Sequence, residues 1–160
     1  MIDVVMLAAL YTIRIVGGAA AIDVPMSFWL LTFSMFLFLS LAMLKRYTEL
    51  KMTLDSGKTT ALGRGYHVGD LSMVQAMGTA SGVVAVLVLC LYINAQESEA
   101  LYRQPLFLWL LCPVLLYWIC RTWMLAHRGL MHDDPVVFAV KDPGSLLTVL
   151  VGGLAVLAAI

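Results

Sequence analysis

A long apolar run is followed directly by Lys45-Arg46-Tyr47-Thr48-Glu49-Leu50-Lys51. Cations and a phenol at the point where a helix leaves an apolar environment suit contact with phosphate oxygens. The plainer role is to complement the helix C-terminus and anionic headgroups. Lys45 and Glu49 stand four residues apart and share a helix face. The chain continues through Asp55-Ser56-Gly57-Lys58 and Gly63-Arg64-Gly65-Tyr66 to Asp70. Glycines let a ligand come close to the backbone, and Lys58 and Arg64 beside them suit a phosphate or diphosphate. Glu49, Asp55 and Asp70 are the candidate ligands for a hard cation such as magnesium, which commonly bridges a few carboxylates and substrate phosphates. The Gly-x-x-x-x-Gly-Lys-Ser/Thr spacing of a P-loop is absent.

Two further places carry polar chemistry. Arg14 falls near the middle of an apolar stretch, a costly position unless the side chain meets carbonyls in a helix gap or faces a cavity that binds an anion. The second of these is the favoured reading. Toward the C-terminus, Arg121 precedes His127-Arg128-Gly129 and His132-Asp133-Asp134-Pro135. His127 and His132 are five apart, which does not give the one-face pair of a helical zinc site. A helix stop at Gly129, then an acidic turn leading into an interfacial segment, accounts for the pattern better. Cys90, Cys112 and Cys120 all lie within apolar runs, where helix packing or burial in lipid is the expected role.

These residues need a scaffold, and composition says which kind. Hydrophobic residues make up 62% of the chain and charged ones 12%, with a mean hydropathy of +0.93. That balance excludes an ordinary soluble domain and predicts an all-α membrane bundle in one domain over residues 1–160. Spans are predicted at residues 2–22, 26–44, 71–92, 105–125 and 145–160. No signal peptide is visible, and the chain opens almost directly on the first span. Pro25, Pro105 and Pro143 suit helix starts, whereas Pro113 predicts a kink inside the fourth span. Lys45, Arg46, Lys51, Lys58 and Arg64 lie between the second and third spans, and Arg128 and Lys141 between the fourth and fifth. The opposite side has Arg103 among Asp23, Glu97 and Glu99, so the cation-rich connections are predicted to be cytoplasmic. Gly78 and Gly82, Gly17 and Gly18, and Gly152 and Gly153 are expected to let helices approach closely.

Over nearly its whole length the chain resembles the C-terminal half of a UbiA-type intramembrane prenyltransferase, nearest the branch of decaprenyl-phosphate phosphoribosyltransferase. The strings that carry the resemblance are Leu10-Tyr11-Thr12-Ile13-Arg14, Ser27-Phe28-Trp29-Leu30-Leu31, Phe36-Leu37-Phe38-Leu39-Ser40-Leu41, Lys45-Arg46-Tyr47-Thr48-Glu49-Leu50, Gly63-Arg64-Gly65-Tyr66 and Ala126-His127-Arg128-Gly129 through Asp134-Pro135. The resemblance implies the last five of nine helices around a membrane-open cavity, in a bacterial cytoplasmic (inner) membrane. It implies a magnesium cofactor, a polyprenyl or isoprenoid substrate and a diphosphate-bearing donor, with membrane lipid as surroundings and no nucleic acid. The diphosphate contacts it implies here are Arg14, Lys45, Arg46, Tyr47, Lys58, Arg64 and Tyr66, with Glu49, Asp55 or Asp70 assisting the metal. The family's Asn-Asp-x-x-Asp motif is missing, since Asn94 is the only asparagine and no aspartate follows it. Lys45 and Glu49 also stand where aromatic prenyltransferases have two aspartates. A fragment or half-protein, inactive alone and lacking an N-terminal half, is therefore expected. A non-catalytic membrane scaffold or subunit is the alternative. A CDP-alcohol phosphotransferase lacks its Asp-Gly-x-x-Ala-Arg signature here, and a channel or transporter lacks repeats and paired intramembrane charges.

Overall fold

The computed structural model describes residues 1–23, 27–57, 65–131 and 134–160, with backbone alone at 97, 99 and 100. Lys58, Gly63, Arg64, His132 and Asp133 lie outside the described residues. The described chain is helical: α1 (Ile2–Ala21), α2 (Phe28–Asp55), α3 (Leu71–Ile93), α4 (Gln96–Leu101), α5 (Leu111–His127), α6 (Pro135–Lys141) and α7 (Pro143–Ala159). Short 3-10 segments, Val68–Asp70 and Pro105–Leu110, lead into α3 and α5. Four helical stretches are long and apolar enough to cross a membrane, and a fifth exists if α6 and α7, bent by 79°, count as one broken span.

Helix α2 is the centre of the bundle. It packs along α3 and α1 and also meets α5, while α7 lies against α5 and the 3-10 segment before it. Gly78 and Gly82 show why α2, α3 and α5 can lie so close. A Cβ on Gly78 would sit 2.3 Å from the Trp123 ring and 2.8 Å from Met43, and one on Gly82 would sit 2.7 Å from Ile119. The Trp123 indole donates to Ser40 Oγ at 3.2 Å across the same contact. The other small-residue pairs behave differently. Gly17, Gly18 and Gly153 meet no neighbour, and Gly152 meets Leu111 only at ordinary contact distance, so these glycines do not bring helices together within this chain.

The apolar side chains of α1 and α7 largely point outward, among them Ile2, Leu10, Ile13, Val149, Leu154 and Leu157. Such surface is costly in water and suited to lipid. Several hydroxyls inside the long helices are satisfied locally, as a lipid setting would require. Thr12, Thr32, Ser34 and Thr122 each donate to the carbonyl four residues back.

Two boundaries differ from the sequence expectation. The second span continues past Leu44 to Asp55, giving a helix of 28 residues and so about 42 Å. Lys45–Glu49 therefore stand on a helix, and the true connection begins only after it. Pro113 lies in the first turn of α5, and the distortion is placed upstream, where Pro105–Leu110 is wound as 3-10 helix. A proline nitrogen cannot donate back along the helix, so the preceding residues take the tighter winding. The expected stop at Gly129 is observed. Its φ is +73°, Gly129 N–H donates to Ala126 and Leu130 N–H to Leu125, which closes the end of α5 in the manner of a Schellman turn.

Candidate functional site

Successive residues on a helix point about 100° apart, so Lys45, Arg46 and Tyr47 reach three different neighbours. The Lys45 ammonium donates to Asp134 Oδ2, just before α6, at 2.6 Å. The Arg46 guanidinium meets Asp3 Oδ2 of α1 at 2.5 Å and also pairs with Glu49 one turn on. Tyr47 Oη lies 3.0 Å from His127 Nδ1 at the end of α5, and its ring meets Trp123 edge-on. The exit of α2 is thus a hub that ties together one end of α1, α5 and α6 and the approach to α3.

Arg46 is the most enclosed of these groups, with a side chain only 5% exposed. Tyr66 covers it, its ring 5.4 Å from the guanidinium carbon, while the phenol donates to Asp3 Oδ1 at 2.8 Å. Burial, then the hydrogen bond to the Asp3 carboxylate, pushes the Tyr66 phenol up to about 12. Among the described residues Arg46 Nε has no hydrogen-bond partner, although it is buried. At the neighbouring ion pair, burial alone would raise the Asp134 carboxyl. The Lys45 ammonium and the Val136 N–H outweigh it and hold Asp134 below the ordinary carboxylate value.

A narrow apolar crevice with only about 10 Å³ of open space leads to Lys45 and Asp134 between α1, α2 and α6, walled by Leu7, Tyr11, Phe38 and Leu41. Tyr11 stacks on Phe38 with ring centroids 5.2 Å apart. Arg14 lies over the Tyr11 ring at 5.8 Å, yet its side chain is exposed on the outer face of α1. The structure therefore places Arg14 beside the crevice wall, and it is not enclosed in a cavity formed by this chain.

Of the residues singled out from sequence, Arg46 and Tyr66 touch one another, Lys45 and Tyr47 flank them, and Arg14 stands apart. Lys58 and Arg64 lie outside the described residues. The carboxylates do not gather. Among the described residues no three His, Cys, Asp or Glu side chains form a metal-binding group. Glu49 pairs with Arg46, Asp70 accepts from the His67 N–H at 2.9 Å to cap its own turn, and Asp55 is the exposed last residue of α2. These described residues do not fit a magnesium site. Asp3 was not singled out from sequence, and a lone carboxylate at the edge of an apolar run gives no pattern to find it by.

A second polar knot stands on α5 and α7. Arg121 holds Asp142 through two hydrogen bonds of 2.5 and 3.0 Å. The same carboxylate accepts from Ser145 N–H and Oγ at 2.7 and 2.9 Å, and Trp118 Nε1 donates to Ser145 Oγ at 3.0 Å. Asp142 thereby caps α7 at its bend from α6.

Fold and site together define a helical protein with four or five helices long and apolar enough to cross a membrane and a cation-bearing cluster at one end. The chain is 39% identical over 150 residues to the nodulation protein NoeC of Azorhizobium caulinodans, covering 93% of this chain and 48% of that protein. It is 36% identical over 146 residues to the uncharacterized protein y4nM of Sinorhizobium fredii, covering 91% of this chain and 28% of that protein. The chain thus spans about half the length of one curated relative and little more than a quarter of the other. No family model matches it, and no solved structure does.

Proposed function

We propose that this chain is the C-terminal part of a UbiA-type membrane transferase that joins a diphosphate-activated group to an acceptor, one of the two being a polyprenyl substrate. The observation that carries the reading is the convergence of Lys45, Arg46, Tyr47 and Tyr66 at one end of the bundle, beside a narrow apolar crevice. A cation at the end of apolar helices suits an amphiphile with an anionic head, the tail lying along the apolar faces of α1 and α2. Lys45, Arg46 and, from the connection that follows, Lys58 and Arg64 would hold the diphosphate and stabilise charge as it leaves. Because Glu49, Asp55 and Asp70 do not gather, any magnesium that the reaction uses would be held by residues of a longer protein. The partial coverage of the relatives is consistent with such a protein. The cluster would face the cytoplasm of a bacterial inner membrane, supported by the cation asymmetry between the two sets of connections. Through its relative in Azorhizobium, the proposed setting is nodulation.

A scaffold reading has one specific observation in its favour: Lys45 and Arg46 are already paired with carboxylates of the same chain. The two readings separate in the longer parent protein. Steady-state kinetics of Lys45→Ala and Arg64→Ala should show at least a tenfold fall in kcat/KM for the diphosphate donor. Wild-type efficiency in both would leave the cluster a structural anchor. The 160-residue chain alone, given isoprenyl diphosphates and phosphoribosyl pyrophosphate, is expected to show no turnover.

A further inference from the structure

The opposite end of the bundle holds a feature that the proposed transfer chemistry does not use. Cys90 lies in the last turn of α3 and Cys112 in the first turn of α5, with their sulfurs 3.1 Å apart. Helix α3 starts beside Tyr66 and α5 ends at His127, both at the Arg46 end, so this pair stands roughly 30 Å away from it along helices of this length. Cys112 is buried and Cys90 half-buried, whereas the third cysteine, Cys120, is exposed on the outside of α5. The neighbours in sequence matter as well. Leu89 and Leu111 both line an apolar cavity of about 400 Å³ between α3, α5 and α7.

We propose that Cys90 and Cys112 form a reversible disulfide that ties α3 to α5 and fixes the separation of two walls of this cavity. The sulfurs need to close by only about 1 Å to reach bonding distance. The helices here are already in contact, so the bond demands no rearrangement of the bundle. The oxidant is a disulfide-bearing molecule or protein. Cys90, the more accessible of the two, loses its proton and attacks one sulfur of that disulfide, releasing the first thiol. Cys112 then gives up its proton and attacks the Cys90 sulfur of the mixed disulfide, releasing the second thiol. Two chain thiols are oxidised, one external disulfide is reduced to two thiols, and the two protons leave with those thiols. On the orientation read from the cations, this end of the bundle faces the extracytoplasmic side, where disulfides form and persist. Bond formation depends only on the juxtaposition, so its test is separate from the test of the transferase reading.

The experiment counts thiols. Membranes containing the Cys120→Ser chain are treated with oxidised glutathione or with dithiothreitol, acid-trapped, dissolved in SDS and labelled with a maleimide-polyethylene glycol. The reduced chain should take two labels, the oxidised chain none at the mobility of a monomer, and dithiothreitol should restore both. In wild type the count should fall from three to one, with the remaining label on Cys120 by peptide mapping. A Cys90→Ser chain, with its two remaining cysteines, should keep two labels under both treatments. Two labels on the oxidised Cys120→Ser chain, or label loss only in cross-linked dimers, would overturn the proposal.

Discussion

Arg46 and Arg121 are both held toward one end of the bundle by an aspartate distant in sequence, yet their surroundings are built to different ends. Arg121 meets a single carboxylate, and that carboxylate also caps α7 and binds Ser145. Gly144 approaches so closely that a Cβ there would lie 2.5 Å from the Arg121 guanidinium carbon. The knot sets the bend between α6 and α7, and its carboxylate is committed to Arg121 and Ser145. Arg46 instead gathers carboxylates from two elements and a phenol from a third, and its buried Nε has no partner among the described residues. Beside it Lys45 is about a third exposed at a crevice. A closed arginine knot shapes the chain, whereas an open one adjoining an apolar crevice can exchange partners. In the second case an incoming diphosphate must displace a carboxylate or draw on Lys58 and Arg64, because Lys45 and Arg46 are already paired.

The largest expected effect falls on the closed knot. Asp142→Ala removes the partner of a largely buried arginine together with the cap of α7, and should destabilise the protein by about 3 kcal/mol. Thermal unfolding in detergent checks it, and a loss as small as that of an exposed ion pair would remove the contrast. Next comes the open knot. Asp3→Asn takes away a competitor for Arg46 while retaining a side chain able to bond Tyr66, so magnesium-free pyrophosphate should bind the parent protein about tenfold more tightly. Weaker binding by titration calorimetry would mean that Asp3 helps to hold the anion site together.

Smaller effects follow from titration. Asp134 is held below its ordinary value in the folded chain, so it adds stability at pH above that ordinary value and loses it as pH falls through the folded value. Acid unfolding of wild type against Lys45→Ala should therefore diverge above pH 4 and converge in stronger acid. Tyr66 shifts in the opposite direction. Its raised value gives stability that is complete below about pH 10 and is lost as pH rises toward about 12. Ultraviolet titration of wild type against Tyr66→Phe should assign the late phenol to Tyr66.

The apolar spans were legible because lipid-crossing helices advertise themselves by length and hydropathy, and Gly78 and Gly82 because small residues four apart mark one helix face. The shared helix face of Lys45 and Glu49 was legible from their spacing, but the run of α2 on to Asp55 was not, since charge marks where an apolar surface stops and says nothing of where a helix stops. The cluster was legible only in part. Lys45, Arg46 and Tyr47 stood out as a string, but their partners Asp134, Asp3 and His127 lie 89, 43 and 80 residues away. Spacing along a helix cannot report such pairs. The same limit explains why Glu49, Asp55 and Asp70 looked like a metal set: they are near in sequence, and one is bound to Arg46 while another caps its own turn.

On the proposed reading the Lys45–Arg46 end binds a diphosphate, while the Arg121 knot only shapes the chain. The most direct test of that reading is equilibrium binding of inorganic pyrophosphate to the purified longer parent, comparing wild type, Lys45→Ala and Arg121→Met at a temperature where all three remain folded. The expected result is a loss of tenfold or more in affinity for Lys45→Ala, with a smaller fall in unfolding temperature than Arg121→Met shows, and unchanged affinity for Arg121→Met. Equal affinity in wild type and Lys45→Ala, or a loss confined to Arg121→Met, would contradict it.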